Sequence, residues 1–473
     1  MTTPFPRTRI AAAVGTLALL LGAGQAFGAG FALQENSGSG LGNAYAGGAA
    51  AAEDASTVWS NPAGMSRIGT NQVAAALNLI QPSMKFSNSA SIAAAQQPLG
   101  DNGGDAGGLN VVPNMYVVVP INKEWAFGLG LNAPFGLVTE YDSQFMGRFQ
   151  AIKSKVETMN VNPAVSYKFG ALSIGAGASY QKMKGNFTAS ANYAAVFAAT
   201  ASGAAQQGKI PPSAAAGLAA ATYGQTANVD ITGDNDAWGW NIGALWAIDS
   251  SSRLGAQYRS DIKQHLTGNV NVSLPGQPAM DPGLVPYYNA LLPSVAGYPP
   301  FASGGVYADV KLPAIANVSY FRTLSPKWDI MLDVQWTGWD TIQDLTFVRT
   351  TDVNYSSVPL MFKDAWRYAV GTNYRYDDKW LFRGGLAYDQ SPVQEGHRTA
   401  RLPDSDRTWL SFGTQYKLDK AWTMDVGATY IWVKNGSITE YEKTAASIAP
   451  YGYVDGTYSN NVVILSGQVT YSF

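Results

Sequence analysis

The chain has 473 residues, of which 14% are charged and 46% hydrophobic, with a formal net charge of −2 and a mean hydropathy of −0.06. That balance excludes both a bundle of membrane helices and a disordered polymer, and it offers no basic footprint for a nucleic-acid partner. Cysteine is absent, which removes disulfide and thiol chemistry, while 50 Gly, 25 Tyr and 13 Trp suit many strands with interfacial aromatics.

Residues 1–28 read as a secretory signal. Arg7 and Arg9 form the positive start, Ile10 to Leu21 the apolar core, and Ala26 and Gly28 the small residues before a cut at Ala29. The apolar run is too short for a membrane-spanning helix. Removing it leaves 29 basic against 33 acidic residues.

Residues 29–70 do not read as a membrane strand. They are small and polar, with Gly38-Ser39-Gly40-Leu41-Gly42, Gly47 to Ala52 and then Glu53-Asp54. Small residues favour close packing, so a plug inside a lumen is expected. The glycines near Gly38 are not a dinucleotide fingerprint, because no strand precedes them.

From residue 71 onward the text becomes strand-like. A first strand is expected near Gln72–Gln81. Six short polar connectors follow, centred on Ile121 to Lys123, Phe169 to Ala171, Asp249 to Ser252, Leu324 to Lys327, Asp377 to Lys379 and Leu418 to Lys420. Four of them lead straight into Trp125, Trp328, Trp380 or Trp422, as tight turns at a periplasmic barrel rim do. Six turns join twelve strands, and the first and last strands make fourteen. The fold class expected is therefore a 14-stranded antiparallel transmembrane β-barrel.

Three segments test that period. Trp422, Met424, Val426, Ala428, Tyr430 and Trp432 share one face, against Thr423, Asp425, Gly427 and Thr429. Trp422 to Trp432, at roughly 3.3 Å per residue and about 40° of tilt, covers about 25 Å, one outer-membrane hydrocarbon thickness. Ile330, Leu332, Val334 and Trp336 likewise oppose Asp333 and Gln335. In the last strand Val463, Leu465, Val469, Tyr471 and Phe473 oppose Ser466, Gln468 and Thr470. A strand with one face in lipid must belong to a closed barrel, since unpaired backbone groups are costly in hydrocarbon. A final Phe on such a strand suits the barrel assembly machinery of the outer membrane.

Two connections are long: residues 188–228, Ala-rich and able to include helix, and residues 275–306, with Leu284, Tyr287, Tyr288, Leu291, Leu292, Tyr298 and Phe301. These apolar side chains either form a greasy external surface or pack the loops together. Gly128 and Gly130, in the third strand, mark either a bend in the wall or a place where the plug packs closely. The two histidines, His265 and His397, lie far apart and show no metal-ligand spacing, so no metal, cofactor or catalytic residue is expected. A phospholipase using His265 and an adhesin using the long loops are the alternatives from other classes.

The chain also resembles the FadL-type long-chain fatty acid transporters of Gram-negative outer membranes. The resemblance runs through Ala29-Gly30-Phe31, Ser39-Gly40-Leu41-Gly42, Glu53-Asp54-Ala55 and Asn61-Pro62-Ala63. It continues at Pro113-Asn114-Met115, Phe135-Gly136-Leu137 and Glu157-Thr158-Met159-Asn160, and is closest at Phe362 to Ala365, Asp389 to Val393 and Pro403 to Arg407. It implies a monomeric channel that passively takes up a long-chain fatty acid or another hydrophobic small molecule, with outer-membrane lipid as its other partner. Loops would capture the ligand, a hatch at 29–70 would move, and the ligand would leave sideways through a kinked third strand.

On this resemblance Phe31, Asn61, Pro62 and Ala63 belong to the hatch and gate, and Gly128 and Gly130 to the wall kink. Pro62 fixes φ and Asn61 can bond backbone in a tight turn. Lys182 stands where the family has a basic headgroup residue, with a solvated lumen lysine as its bland reading. The second basic position falls at Val358 or a neighbour. That departure points to an aromatic hydrocarbon or ester importer of the same fold as the alternative. Arg383, Asp389 and Arg407 are candidate hatch anchors, or simply lumen charges that pair with one another.

Overall fold

A computed structural model describes residues 29–473; the expected signal lies outside the described residues. Fourteen antiparallel strands close into a barrel, and six of them are broken in two. They are β1 Gln72–Asn88, β2 Asn110–Pro120, β3 Trp125–Asn132 with Gly136–Glu140, β4 Lys153–Phe169, β5 Leu172–Ala191 and β6 Ala227–Ala247. Next come β7 Ser252–Arg259 with Ile262–Ser273, β8 Gly304–Leu312 with Ile315–Ser325, and β9 Trp328–Thr337 with Asp344–Arg349. The set ends with β10 Asn354–Pro359 with Ala365–Arg375, β11 Trp380–Asp389, β12 Arg407–Lys417, β13 Trp422–Val433 with Gly436–Glu440, and β14 Val454–Ser472.

Closure is between β14 and β1, paired without interruption from Gln72↔Ser472 to Asn88↔Gly456. This leaves no sheet edge in hydrocarbon. All six connectors read as rim turns are turns between consecutive strands. The period-two pattern also gives the facing correctly. Leu465, Val469, Trp422, Val426, Trp432, Leu332 and Tyr368 are exposed on the outer wall, while Ser466, Gln468, Asp425, Asp333 and Arg367 are buried inside. Among the described residues no helix is long and apolar enough to cross a membrane.

Residues 29–70 sit within the barrel as three one-turn helices, α1 Gly38–Leu41, α2 Gly48–Ala51 and α3 Thr57–Ser60, followed by a 3-10 helix at Pro62–Arg67. Ser37 starts α1, its hydroxyl accepting from Gly40 N–H at 3.1 Å. Helices this short cannot stand alone. Their stability comes from the wall around them.

Outside, α4 Tyr193–Gln206, α5 Pro212–Ala221 and α6 Val285–Ala296 pack the two long loops against each other through Tyr193, Phe197, Leu218, Tyr288, Leu291 and Phe301. Much of the apolar content there serves packing, and Tyr298 remains exposed.

Candidate functional site

The break in β3 spans 133–135, where Pro134 has no N–H to offer the ladder. The N-terminal segment fills the gap with its own backbone. Ala32 forms an antiparallel bridge to Phe135, Leu33 N–H donates to Pro134 O at 2.9 Å, and Gly136 N–H donates to Phe31 O at 2.8 Å. The Phe31 ring packs edge-on to Trp339 with centroids 4.8 Å apart, and against Phe135 at 5.9 Å. Trp339 and Phe362 stand at the breaks of β9 and β10 and complete an aromatic cluster on the lumen side. Asp404 holds the strand's end: its Oδ2 accepts from Gly30 N–H at 2.8 Å.

Gly128 and Gly130 do not lie at this break. They pair continuously with β2 through Val118 and Tyr116 and with β4 through Ala164 and Asn162. A Cβ at Gly128 would stand 2.3 Å from Met65 Sδ and 2.6 Å from Val58 Cγ2. The wall-kink assignment is therefore corrected in favour of close packing: these glycines admit the segment's apolar side chains, and the interruption of the strand is at Ala133-Pro134-Phe135.

Asn61, fully buried, ties the segment to β6 of the wall. Its side-chain N–H groups donate to Ala49 O at 2.7 Å and Ala244 O at 2.9 Å, while Oδ1 accepts from Ala63 N–H at 3.0 Å. Pro62 opens the 3-10 helix, where a missing N–H costs nothing. On the wall, Gly243 is required by this approach, since a Cβ there would come 2.0 Å from Asn61 Oδ1.

Arginines of the barrel finish the work. Arg253 donates to Ala50 O and Ala51 O, both at 3.0 Å, Arg259 to Trp59 O at 2.9 Å, and Arg367 to Ala44 O at 2.7 Å. Each satisfies carbonyls that a one-turn helix or turn leaves unbonded. Arg383 bonds Glu53 at 3.0 Å and also Asp425. Gln468 of β14 accepts from Gly38 N–H at 3.0 Å and donates to Asp54 at 2.8 Å.

The other two expected anchors act differently. Arg407 Nε donates to Asp404 Oδ1 at 3.0 Å, so it braces the loop that grips Gly30. Asp389 lies opposite Arg367 and Arg407 in the ladder, with its Oδ2 free of a hydrogen bond. Arg253 and Arg259 were not singled out from sequence, although the inward phase of their strands marks them, and Arg367 was read as a lumen-facing charge but not as an anchor.

Lys182 is a correction. It lies on the outer face of β5, the same face as Tyr180 and Ile174, and pairs across to Asp234 at 2.9 Å and Asp236 at 3.7 Å on β6. It meets neither the lumen nor an apolar pocket. Val358 packs at the edge of the lumen's apolar cluster. His265 faces outward, its Nδ1 2.7 Å from Asp309.

Glu35 was also missed. It is 1% exposed and both its carboxyl oxygens lack a hydrogen-bond partner. Burial raises its pKa to about 7, opposed by its own backbone N–H and by the charges of Arg407 and Arg367.

The sequence profile of the outer membrane protein transport family (OMPP1/FadL/TodX) matches residues 19–473. The chain belongs to this family. It is 32% identical over 451 residues to the long-chain fatty acid transport protein of Escherichia coli K12, covering 93% of this chain and 94% of that one. It is 29% identical to outer membrane protein P1 of Haemophilus influenzae over 88% of each. Among solved FadL-type structures, a Pseudomonas aeruginosa FadL homologue superposes with a TM-score of 0.80 at 27% identity, over 94% of this chain and all of that one. The Pseudomonas putida toluene transporter TodX shares the fold, with a TM-score of 0.62 at 17% identity over 89% and 94%. The chain is thus an outer-membrane transport barrel of the FadL type.

Proposed function

We propose that this protein takes up hydrophobic molecules passively, long-chain fatty acids foremost, and that residues 29–70 are a hatch whose withdrawal opens the wall. The observation that carries this is the Phe31–Ala32 backbone seated in the β3 break. At the break the strand is held by two backbone hydrogen bonds, the Gly30–Asp404 bond and one aromatic cluster. Contacts of that kind are individually worth about 1 kcal/mol, weak enough to reverse. Capture begins at the packed extracellular loops, and the protein works as a monomer inserted by the barrel assembly machinery. The relatives named for fatty acid transport support this substrate class.

Because the chain has no cysteine, Ala32→Cys with Phe135→Cys provides a clean lock: residues facing each other in an antiparallel bridge lie within disulfide reach. Oleate uptake into cells lacking their own transporter should stop on oxidation and return with reductant. Equal uptake in both states would sink the lateral route.

A second reading is uptake of neutral aromatic hydrocarbons or esters. It is favoured by the outward Lys182 and by Val358, which together leave both expected headgroup positions without a lumen cation. Rescue of growth on toluene but not on oleate would establish it.

A further inference from the structure

With Lys182 on the outer wall, a carboxylate entering the lumen needs another cation. Arg401 is in the connector between β11 and β12, on a stretch tied to β3 beyond its break. Thr139 Oγ1 donates to Arg401 O at 3.1 Å, and Tyr141 OH to Ala400 O at 2.8 Å. Its own side chain is only 9% exposed as a residue, yet the guanidinium has no carboxylate partner among the described residues. Nη1 donates to Ser154 Oγ at 3.2 Å and to Lys153 O at 3.5 Å, and Nε has no partner at all. Glu440 is the carboxylate whose field reaches it, but it forms no ion pair with Arg401; its Oε2 accepts from Ala400 N–H at 3.0 Å. A buried cation normally has a paired anion, because desolvation alone is costly.

The surroundings show where an anion would come from. The Arg401 guanidinium carbon lies 5.6 Å from the centre of the Phe187 ring. Phe187 in turn lines a small cleft with Ile231, Leu266, Val306, Ala308 and Phe347. That cleft has about 10 Å³ of free space here, so an acyl chain enters only as these side chains rotate apart. A cation at one end of a row of aliphatic and aromatic side chains matches an amphipathic ligand with one charged terminus.

We propose that Arg401 receives the carboxylate of the transported ligand, with the acyl chain running along Phe187 and Phe347. This assignment rests on the uptake reading and selects acidic over neutral lipids within it. Nε supplies the free donor, and the anion gives the guanidinium the contacting carboxylate that the fold does not. Phe187 and Phe347, with ring centroids 5.4 Å apart, act as the door to the chain's track.

The test compares oleate with methyl oleate on the purified full-length barrel in detergent. The wild-type protein should bind oleate more tightly. Arg401→Gln should weaken oleate about tenfold or more, as loss of a charge-assisted bond in an apolar site does, and leave methyl oleate within about twofold. Arg401→Lys should restore much of the oleate affinity, and the heat-modifiable gel mobility of each variant reports an intact barrel. An equal loss for both ligands, or no loss for either, would overturn the assignment while leaving uptake standing. If the wild-type protein binds neither molecule, the uptake reading falls and Arg401 falls with it.

Discussion

Gly136 N–H donates to Phe31 O across 2.8 Å, so an N-terminal residue supplies a hydrogen-bond partner at the point where the third strand is broken. The wall is complete only while the segment stays. Phe31 anchors that arrangement by its ring against Trp339 and Phe135. Truncating a buried Phe costs about 3–5 kcal/mol. Phe31→Ala should therefore raise hydrogen exchange at residues 30–36 by orders of magnitude, leaving the strands of β14 and β1 protected. Unchanged exchange at Leu33 would show that the backbone bonds suffice without the ring.

Asn61 and Gly243 are coupled across the segment–wall interface, because the glycine leaves the space that the amide oxygen occupies. Gly243→Ala and Asn61→Ala should each destabilise docking of the segment by about 1–3 kcal/mol, the cost of stranding buried polar groups. The double variant should be much less than additive, since the alanine at 243 has nothing left to strike. Strict additivity, measured by exchange at residues 61–65, would mean the two act separately.

The barrel itself was legible in the sequence because lipid imposes a strict period of two and turns at the periplasmic side are short. Trp422, Asp425 and Gln468 all point where alternation sends them. Alternation could not show what breaks it. Pro134 interrupts β3 but was not read from sequence as doing so, and Gly128 and Gly130 suggested a bend upstream where pairing is in fact continuous. Lys182 shows the same limit: a basic residue matched by position along the chain says nothing of its phase, and one step in phase reverses its face. Arg253 and Arg259 gain their role only from where α2 and α3 end, which strand periodicity does not contain.

Lys182→Ala should leave oleate binding within about twofold of the wild type, because its partners Asp234 and Asp236 are on the outer face and exposed ion pairs contribute little. Titration of purified protein with oleate checks this. A loss approaching that expected for Arg401→Gln would return the headgroup role to Lys182 and require the upper part of β5 to twist inward.

Glu35 makes docking of the segment sensitive to pH. Burial holds its pKa at about 7 against an ordinary 4.5, with Arg407 and Arg367 pulling it down and Asp389 pushing it up. The docked form thus keeps a proton that the undocked form has released between these two values. Docking is strongest below about pH 4.5 and weakens as pH rises to about 7, tenfold per unit and on the order of 3 kcal/mol in all. Above about 7 both forms are ionised and the dependence ends. Glu35→Gln imitates the protonated acid at every pH. The ratio of exchange protection at residues 31–37 between this variant and the wild type should climb from pH 5 to 7 and then level, intrinsic exchange cancelling in the ratio. A ratio that stays flat across that window would mean the carboxylate finds charged partners as soon as it ionises, and that Glu35 does not govern the seal at Phe31.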